Sequence, residues 1–207
     1  MELINILARW SHLLFGITWI GLLYYFNFIQ GGYFKSASAE GLSDAKAKLA
    51  PEALWWFRWG AMFTFLTGLI LLLGVHMQNF MNNYIIVGAT MGTLMFLNVW
   101  LVIWPNQKIA LGMVQGDGPT AAAKALLASR SNTLLSSPMV FCMLAGPHYG
   151  GWGSAIGTTG MWISLAIVAV IEANALVGKQ GPMTTVRGVI VSSLVLTAII
   201  VVLLKLV

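Results

Sequence analysis

Charged residues are scarce in this sequence. Only 8% of its 207 residues are Asp, Glu, Lys or Arg, and 58% are hydrophobic, whereas soluble domains carry about 25% charged residues. This composition excludes an ordinary soluble domain and predicts an integral membrane protein. The net charge of +5 is expected to reflect how the loops are distributed across the membrane. Nucleic-acid binding is not expected.

Cysteine is nearly absent as well. Cys142 is the single cysteine, so the chain can form no internal disulfide and contains no CxxCH motif that would attach a c-type haem covalently. Any haem would therefore be held by axial ligands alone.

Long apolar runs, in contrast, are plentiful. A membrane crossing takes about 20 apolar residues, and about six runs reach that length. They predict an all-α integral membrane bundle that forms a single domain over residues 1–207. The predicted helices cover residues 3–29, 53–76, 84–104, 122–145, 157–177 and 185–206.

The fourth predicted helix is the least apolar, because Lys124, Arg130 and Asn132 lie in its first turns. The run 116–120 is expected to form the turn and N-cap that open this helix. Pro138 lies inside it and is expected to kink the helix and to free a backbone carbonyl.

Three further positions predict local structure. Pro51 suits the first turn of the second helix, and Pro105 is expected to end the third. In that third helix, Gly88 and Gly92 form a small-xxx-small pattern, which favours close helix packing.

The basic residues predict the orientation. With alternate loops on opposite sides, nine of the eleven basic residues collect on one side: Lys35, Lys46, Lys48, Arg58, Lys108, Lys124, Arg130, Lys179 and Arg187. The positive-inside rule then places both termini outside. We expect a bacterial inner-membrane protein with periplasmic termini and lipid contacts, in which all three histidines fall in the outer half of the membrane.

The first helix carries the main candidate site. Arg9, His12, Gly16 and Trp19 are spaced by three and four residues, so they share one helix face. An ionisable residue inside a membrane segment is a functional candidate. One interpretation is that His12 ligates a haem b. Gly16 would then leave space for the ring, Trp19 would contact the ring, and Arg9 would pair with a propionate. A hydrogen-bonded residue in helix packing is the other.

A second axial ligand would come from another helix, as in haem-binding bundles. His148, in a turn-rich stretch, is the preferred partner, and His76 is the alternative axial ligand. Both can equally be ordinary interface residues. Three histidines can also bind zinc or copper, but no Cys, Asp or Glu stands near them, which makes this interpretation less attractive.

A second polar set falls on the inner side, and it comprises Arg58, Arg130, Asn132 and Glu172. Arginine and nearby tryptophan suit a planar anion or a quinone. The alternative is structural, because Glu172 in an apolar helix needs a partner that Arg58 or Arg130 can provide.

Several motifs resemble the membrane domain of the cytochrome-c-linked urate oxidases, the urate hydroxylase family, over about residues 6–150. They are Arg9-Trp-x-His12 through Gly16-Ile-Thr-Trp-Ile-Gly21, Trp56-Phe-Arg-Trp59, Trp104-Pro-Asn-Gln-Lys108, Ser129-Arg-Ser-Asn-Thr133 and Ser137-Pro-Met139. The resemblance implies an oxidoreductase that oxidises urate and passes electrons to a cytochrome c.

In that family a cytochrome domain follows the membrane domain, but this sequence carries no CxxCH motif. We therefore expect a haem b redox protein that uses a separate cytochrome c or another redox subunit. A non-catalytic transmembrane accessory subunit of a larger respiratory or membrane complex, or a solute transporter, is the alternative. The chain is also compatible with a homo-oligomer.

Overall fold

The computed structural model describes residues 2–149 and 156–206, and in this part of the chain it contains helices and no strand. The α-helices are α1 (Glu2–Tyr24), α2 (Gly31–Ser36), α3 (Ala39–Asp44), α4 (Ala50–Met77), α5 (Asn83–Leu97), α6 (Trp104–Ala110), α7 (Gly118–His148), α8 (Thr159–Val177) and α9 (Val186–Leu206). The π-helical segments are Tyr25–Gln30, Ala45–Leu49 and Asn98–Ile103, and a 3₁₀ segment covers Gly181–Thr184.

The π-helical segments join shorter helices into long ones. Within the described ranges, five continuous helices are long and apolar enough to cross a membrane. They are Glu2–Ser36, Ala39–Met77, Asn83–Ala110, Thr159–Val177 and Val186–Leu206. Many of their large apolar side chains are exposed, which is compatible with a membrane protein.

The all-α fold is thus confirmed in the described chain. Only five of the six predicted crossings correspond to helices that are long and apolar enough to cross a membrane. Helix α7 covers the predicted segment 122–145 and has the required length. Its polar run 129–133 lowers its mean hydropathy, so it is not among the five. The orientation with both termini outside depended on an even number of crossings, and it stays a prediction.

Of two expectations about proline, one was confirmed and the other was wrong. Pro51 lies in the first turn of α4, as predicted, although α4 continues a helix that already starts at Ala39. Pro105 does not end a helix, because that helix continues to Ala110. In both cases a π-helical segment lies just before the proline. A π-helical turn changes the pattern of carbonyl acceptors, so it can accommodate a residue that donates no N–H.

The described chain forms two compact units. The first comprises Met1–Gly68 and Phe96–Ser129, and the second comprises Leu69–Met95 and Arg130–Val207. Helices α4 and α7 each contribute residues to both units. The single transmembrane domain over residues 1–207 stays a prediction.

In the first unit, α1 packs against a face of small residues on α4, which are Gly60, Thr64 and Gly68. A Cβ atom added at Gly60 would lie 3.2 Å from the backbone nitrogen of Trp19. Only a residue without a side chain permits this approach of the two backbones. This packing brings the candidate face of α1 onto α4.

In the second unit, α5 and α7 approach closely at Gly88. A Cβ atom added there would lie 3.0 Å from the Cβ of Cys142, and one added at Gly92 would lie 4.0 Å from Cγ of Met139. The predicted small-residue packing face is therefore confirmed.

Pro138 lies inside α7, as predicted, and it has no N–H to donate to the carbonyl of Leu134 one turn earlier. The hydroxyl of Ser193 in α9 donates to that carbonyl oxygen at 2.8 Å. The freed carbonyl was expected from the sequence, but its partner was not. This contact ties α9 to α7 within the second unit.

Candidate functional site

The most polar interior segment of the described chain is the run Ser129–Thr133 in α7. Each of its five residues is buried, and Ser131 and Asn132 have no exposed surface. The polar side chains of a buried helix need hydrogen-bond partners from the residues around them. A buried polar atom that lacks such a partner therefore indicates where a ligand can bind.

Asn132 is satisfied by the protein, because its Nδ2 donates to the Met95 carbonyl of α5 at 2.9 Å. Both residues belong to the second unit. Asn132 was predicted to bind substrate, and this bond already uses one of its two amide donor hydrogens.

Arg130 differs from its neighbours. Its side chain is only 9% exposed, yet guanidinium atoms Nε and Nη1 have no hydrogen-bond partner among the described residues. The adjacent Ser131 hydroxyl is also buried without a partner. Leaving a buried charge uncompensated costs several kcal/mol, so Arg130 has the character expected of an anion-binding group.

Asn27 was missed by the sequence interpretation. It is 3% exposed, and its Nδ2 donates to the Leu23 carbonyl at 2.9 Å and to the Ser129 hydroxyl at 2.8 Å. It lies in the π-helical segment Tyr25–Gln30 of the first unit. An amide flanked on both sides by aromatic residues was the signal that could have identified it.

Arg58 lies half-buried in the first unit with its guanidinium carbon 3.8 Å from the centre of the Trp104 ring. This is a cation–π contact. A tryptophan near this arginine was expected from the sequence, and the structure places Trp104 there. Glu172 is half-buried in α8, and the pairing predicted for it stays a prediction.

His12 is half-buried against α4. Its Nδ1 lies 2.9 Å from the Thr64 carbonyl oxygen and 3.2 Å from the Thr67 hydroxyl. A carbonyl oxygen only accepts, so in the neutral ring Nδ1 carries the proton and Nε2 keeps the lone pair. A Cβ atom added at Gly68 would lie 3.1 Å from Cε1 of His12, so this glycine makes room for the imidazole.

The other candidates on α1 divide into two groups. Gly16 and Trp19 face α4 with His12: a Cβ atom added at Gly16 would meet Thr64 at 3.9 Å, and Trp19 is only 2% exposed. Arg9 is exposed, and its Nε donates to the side chain of Asn5 at 2.8 Å.

The other two histidines are exposed near the ends of their helices, His76 in α4 and His148 in α7. They belong to the second unit, whereas His12 belongs to the first. The described residues include no group of three or more His, Cys, Asp or Glu side chains that could hold a metal ion. The role of each histidine as a ligand stays a prediction.

These features define a class: an all-α protein with long apolar helices compatible with a membrane and an unpaired buried arginine. The model of the urate oxidase N-terminal family matches residues 76–204. Because the match covers more than half of the chain, the protein belongs to this family. No curated protein and no solved structure matches the chain.

The matched range differs from the predicted range of about 6–150. It contains Arg130, Asn132 and His148, and it extends beyond residue 150. It does not include the motifs around His12 and Arg58. The family is therefore shown, while the cytochrome-linked subtype rests on the resemblance.

Proposed function

We propose that this chain is a membrane redox protein that oxidises urate, with Arg130 as the residue that binds the anionic substrate. The observation that carries the proposal is the buried guanidinium whose Nε and Nη1 have no partner. Arg130 also lies within the range that matches the urate oxidase N-terminal family.

The chemistry of the two partners is complementary. Urate is a planar anion, and a guanidinium presents a planar fork of N–H donors that suits bidentate contacts with such a group. A bound anion would offset the cost of burying the Arg130 charge. The Ser131 hydroxyl, also buried without a partner, is a second donor for the same ligand.

The stoichiometry of urate hydroxylation determines how many electrons the protein must pass on. Water supplies the hydroxyl oxygen, and each urate gives up two electrons and two protons. We propose that the electrons pass to an external cytochrome c or another redox subunit, which takes up one electron at a time.

His12 is the residue of α1 that would hold haem b through its ring nitrogen. A ligating histidine commonly donates its other ring N–H to a carbonyl, which fixes the tautomer, and His12 does so to Thr64. A haem bound there would supply one-electron transfer. The second ligand, for which the sequence favours His148 over His76, stays a prediction. His12→Ala should abolish haem b retention, and a normal haem spectrum in that variant would contradict the assignment.

Equilibrium binding tests the substrate site without requiring turnover. Titration of the purified full chain with urate should show saturable binding. Arg130→Gln should weaken this binding about tenfold or more, because a hydrogen bond to a charged group contributes about 1.5–3 kcal/mol.

Lys124→Gln is the matched control, since Lys124 is exposed on the same helix. It should leave the affinity for urate unchanged. Equal affinities of the wild type and Arg130→Gln, or equal weakening in both variants, would contradict a urate site at Arg130.

A non-catalytic transmembrane subunit is the second candidate function. The observation that favours it is the packing of His12, which is satisfied by Thr64 and accommodated by Gly68, as for a structural residue. This alternative requires a chain that retains no haem when haem is supplied during expression. A haem spectrum therefore separates the two functions.

A further inference from the structure

Trp104, in the first unit, lies beside two cations. The guanidinium carbon of Arg58 is 3.8 Å from the centre of the Trp104 ring, and Nζ of Lys108 is 5.5 Å from the same point. Neither cation is paired with an acidic residue of the described chain. We name these three residues the Trp104 cluster.

The two positive charges are close enough to repel each other. Both distances are measured to one ring centre, so the charges lie within about 10 Å, which is about one Debye length at 0.1 M salt. Both side chains are half-buried, and partial burial reduces screening further. An anion held between them would remove this repulsion.

The surroundings indicate where that anion would come from. Trp59 contacts Trp100 with ring centres 5.6 Å apart and Trp55 at 6.3 Å. Tryptophan is enriched at the membrane–water interface. Lys108 lies in the last turn of the apolar helix Asn83–Ala110, where a cationic side chain reaches the level of the lipid headgroups.

We propose that the Trp104 cluster binds the phosphate of an anionic phospholipid headgroup. The guanidinium and the ammonium supply the charge and the N–H donors, and the indole holds the guanidinium in place. Basic pockets between helices at the membrane surface recognise anionic lipids by this chemistry. The site gives Arg58 a role other than the predicted substrate binding.

This inference is independent of the proposed urate site, which uses Arg130 and Ser131. Loss of lipid binding would leave urate binding at Arg130 untouched, and the reverse also holds. The two proposals can therefore fail separately.

The test is a lipid titration of the purified, delipidated full chain in detergent, followed by its thermal unfolding midpoint. Phosphatidylglycerol should stabilise the wild type at lower concentration than phosphatidylcholine. Arg58→Gln and Lys108→Gln should each raise the half-maximal concentration of phosphatidylglycerol about fivefold, the effect of one basic residue near an anionic surface.

Lys46→Gln is the matched control, because Lys46 is exposed and its removal changes the net charge equally. It should leave the titration unchanged. If Arg58→Gln does not fold, Lys108→Gln alone gives the same comparison with Lys46→Gln.

Three results would overturn the proposal. The first is equal stabilisation of the wild type by both lipids, and the second is an unchanged phosphatidylglycerol titration in the Arg58 and Lys108 variants. The third is equal protection by inorganic phosphate at the same concentration, which would assign the site to a free anion.

Discussion

Replacing Ser193 by alanine gives the sharpest test of how the second unit is held together. Pro138 leaves the Leu134 carbonyl without its helical donor, and the Ser193 hydroxyl donates to this oxygen at 2.8 Å. Ser193 is only 5% exposed. Its removal should therefore leave a carbonyl without a partner in the protein interior.

The expected loss follows from this geometry. An interhelical hydrogen bond in a membrane protein contributes about 0.6 kcal/mol on average, and a buried acceptor left unsatisfied costs about 1–3 kcal/mol. We expect Ser193→Ala to lower the free energy of unfolding by about 1.5 kcal/mol. In a Pro138→Ala background, the new N–H can donate to the Leu134 carbonyl, and the loss should fall below about 0.5 kcal/mol.

Denaturant unfolding of the four proteins of this double-mutant cycle, followed by circular dichroism in detergent, measures both losses. Ser192→Ala is the control, because Ser192 precedes Ser193 in α9 and is half-buried, and it should change the free energy by no more than about 0.5 kcal/mol. Equal losses for Ser193→Ala in the two backgrounds would refute the reasoning.

Two further predictions concern helix packing and pH. Gly60→Val should lower the thermal unfolding midpoint, because even a Cβ atom there would lie 3.2 Å from the Trp19 backbone. Gly74→Ala is the control and should leave the midpoint unchanged, because a Cβ atom at Gly74 has nothing within 4 Å. Equal midpoints in the two variants would contradict the packing of α1 on α4. Hydrogen bonds from the hydroxyl and backbone N–H of Thr120 hold the pKa of Asp117 below its ordinary value of 3.8. The stabilisation from Asp117 is therefore present above about pH 4 and is lost as the pH falls through the depressed pKa. Asp117→Asn should remove this part of the acid sensitivity in unfolding measured from neutral to acid pH, and an unchanged pH profile would contradict the assignment.

Features that depend on local composition could be predicted from the sequence. Each of the six apolar segments overlaps a helix of the described chain, and the small-residue face at Gly88 and the proline inside α7 were identified correctly. The turn before α7 was also predicted, and Asp117 is its capping residue. The lengths of the apolar runs and turn chemistry are sufficient for these features.

Features that depend on the neighbours of a helix could not be predicted. Asn27 and Ser129 form a hydrogen bond although they are 102 positions apart, and Ser193 donates to the Leu134 carbonyl across 59 positions. The π-helical segments before Pro51 and Pro105 extend helices that local rules would end. Such contacts follow from tertiary packing, which overrides local propensity.

The candidate site contains features of both kinds, some that could be predicted from the sequence and some that could not. Arg130 was a candidate as part of the inner polar set, but the sequence did not indicate that Asn132 would be bonded to the Met95 carbonyl or that Nε and Nη1 of Arg130 would lack partners. His12 was a candidate because it is an ionisable residue in a membrane segment, and its contact with Thr64 was not foreseen.

The most direct test of the central claim is to measure whether urate reduces added cytochrome c in the presence of the haem-loaded full chain. The chain is placed in lipid vesicles, and oxygen is excluded. We predict that absorption spectra will show two cytochromes reduced for each urate consumed, and that Arg130→Gln will lower this rate while Lys124→Gln will not. A haem-loaded wild-type chain that consumes no urate would contradict the account.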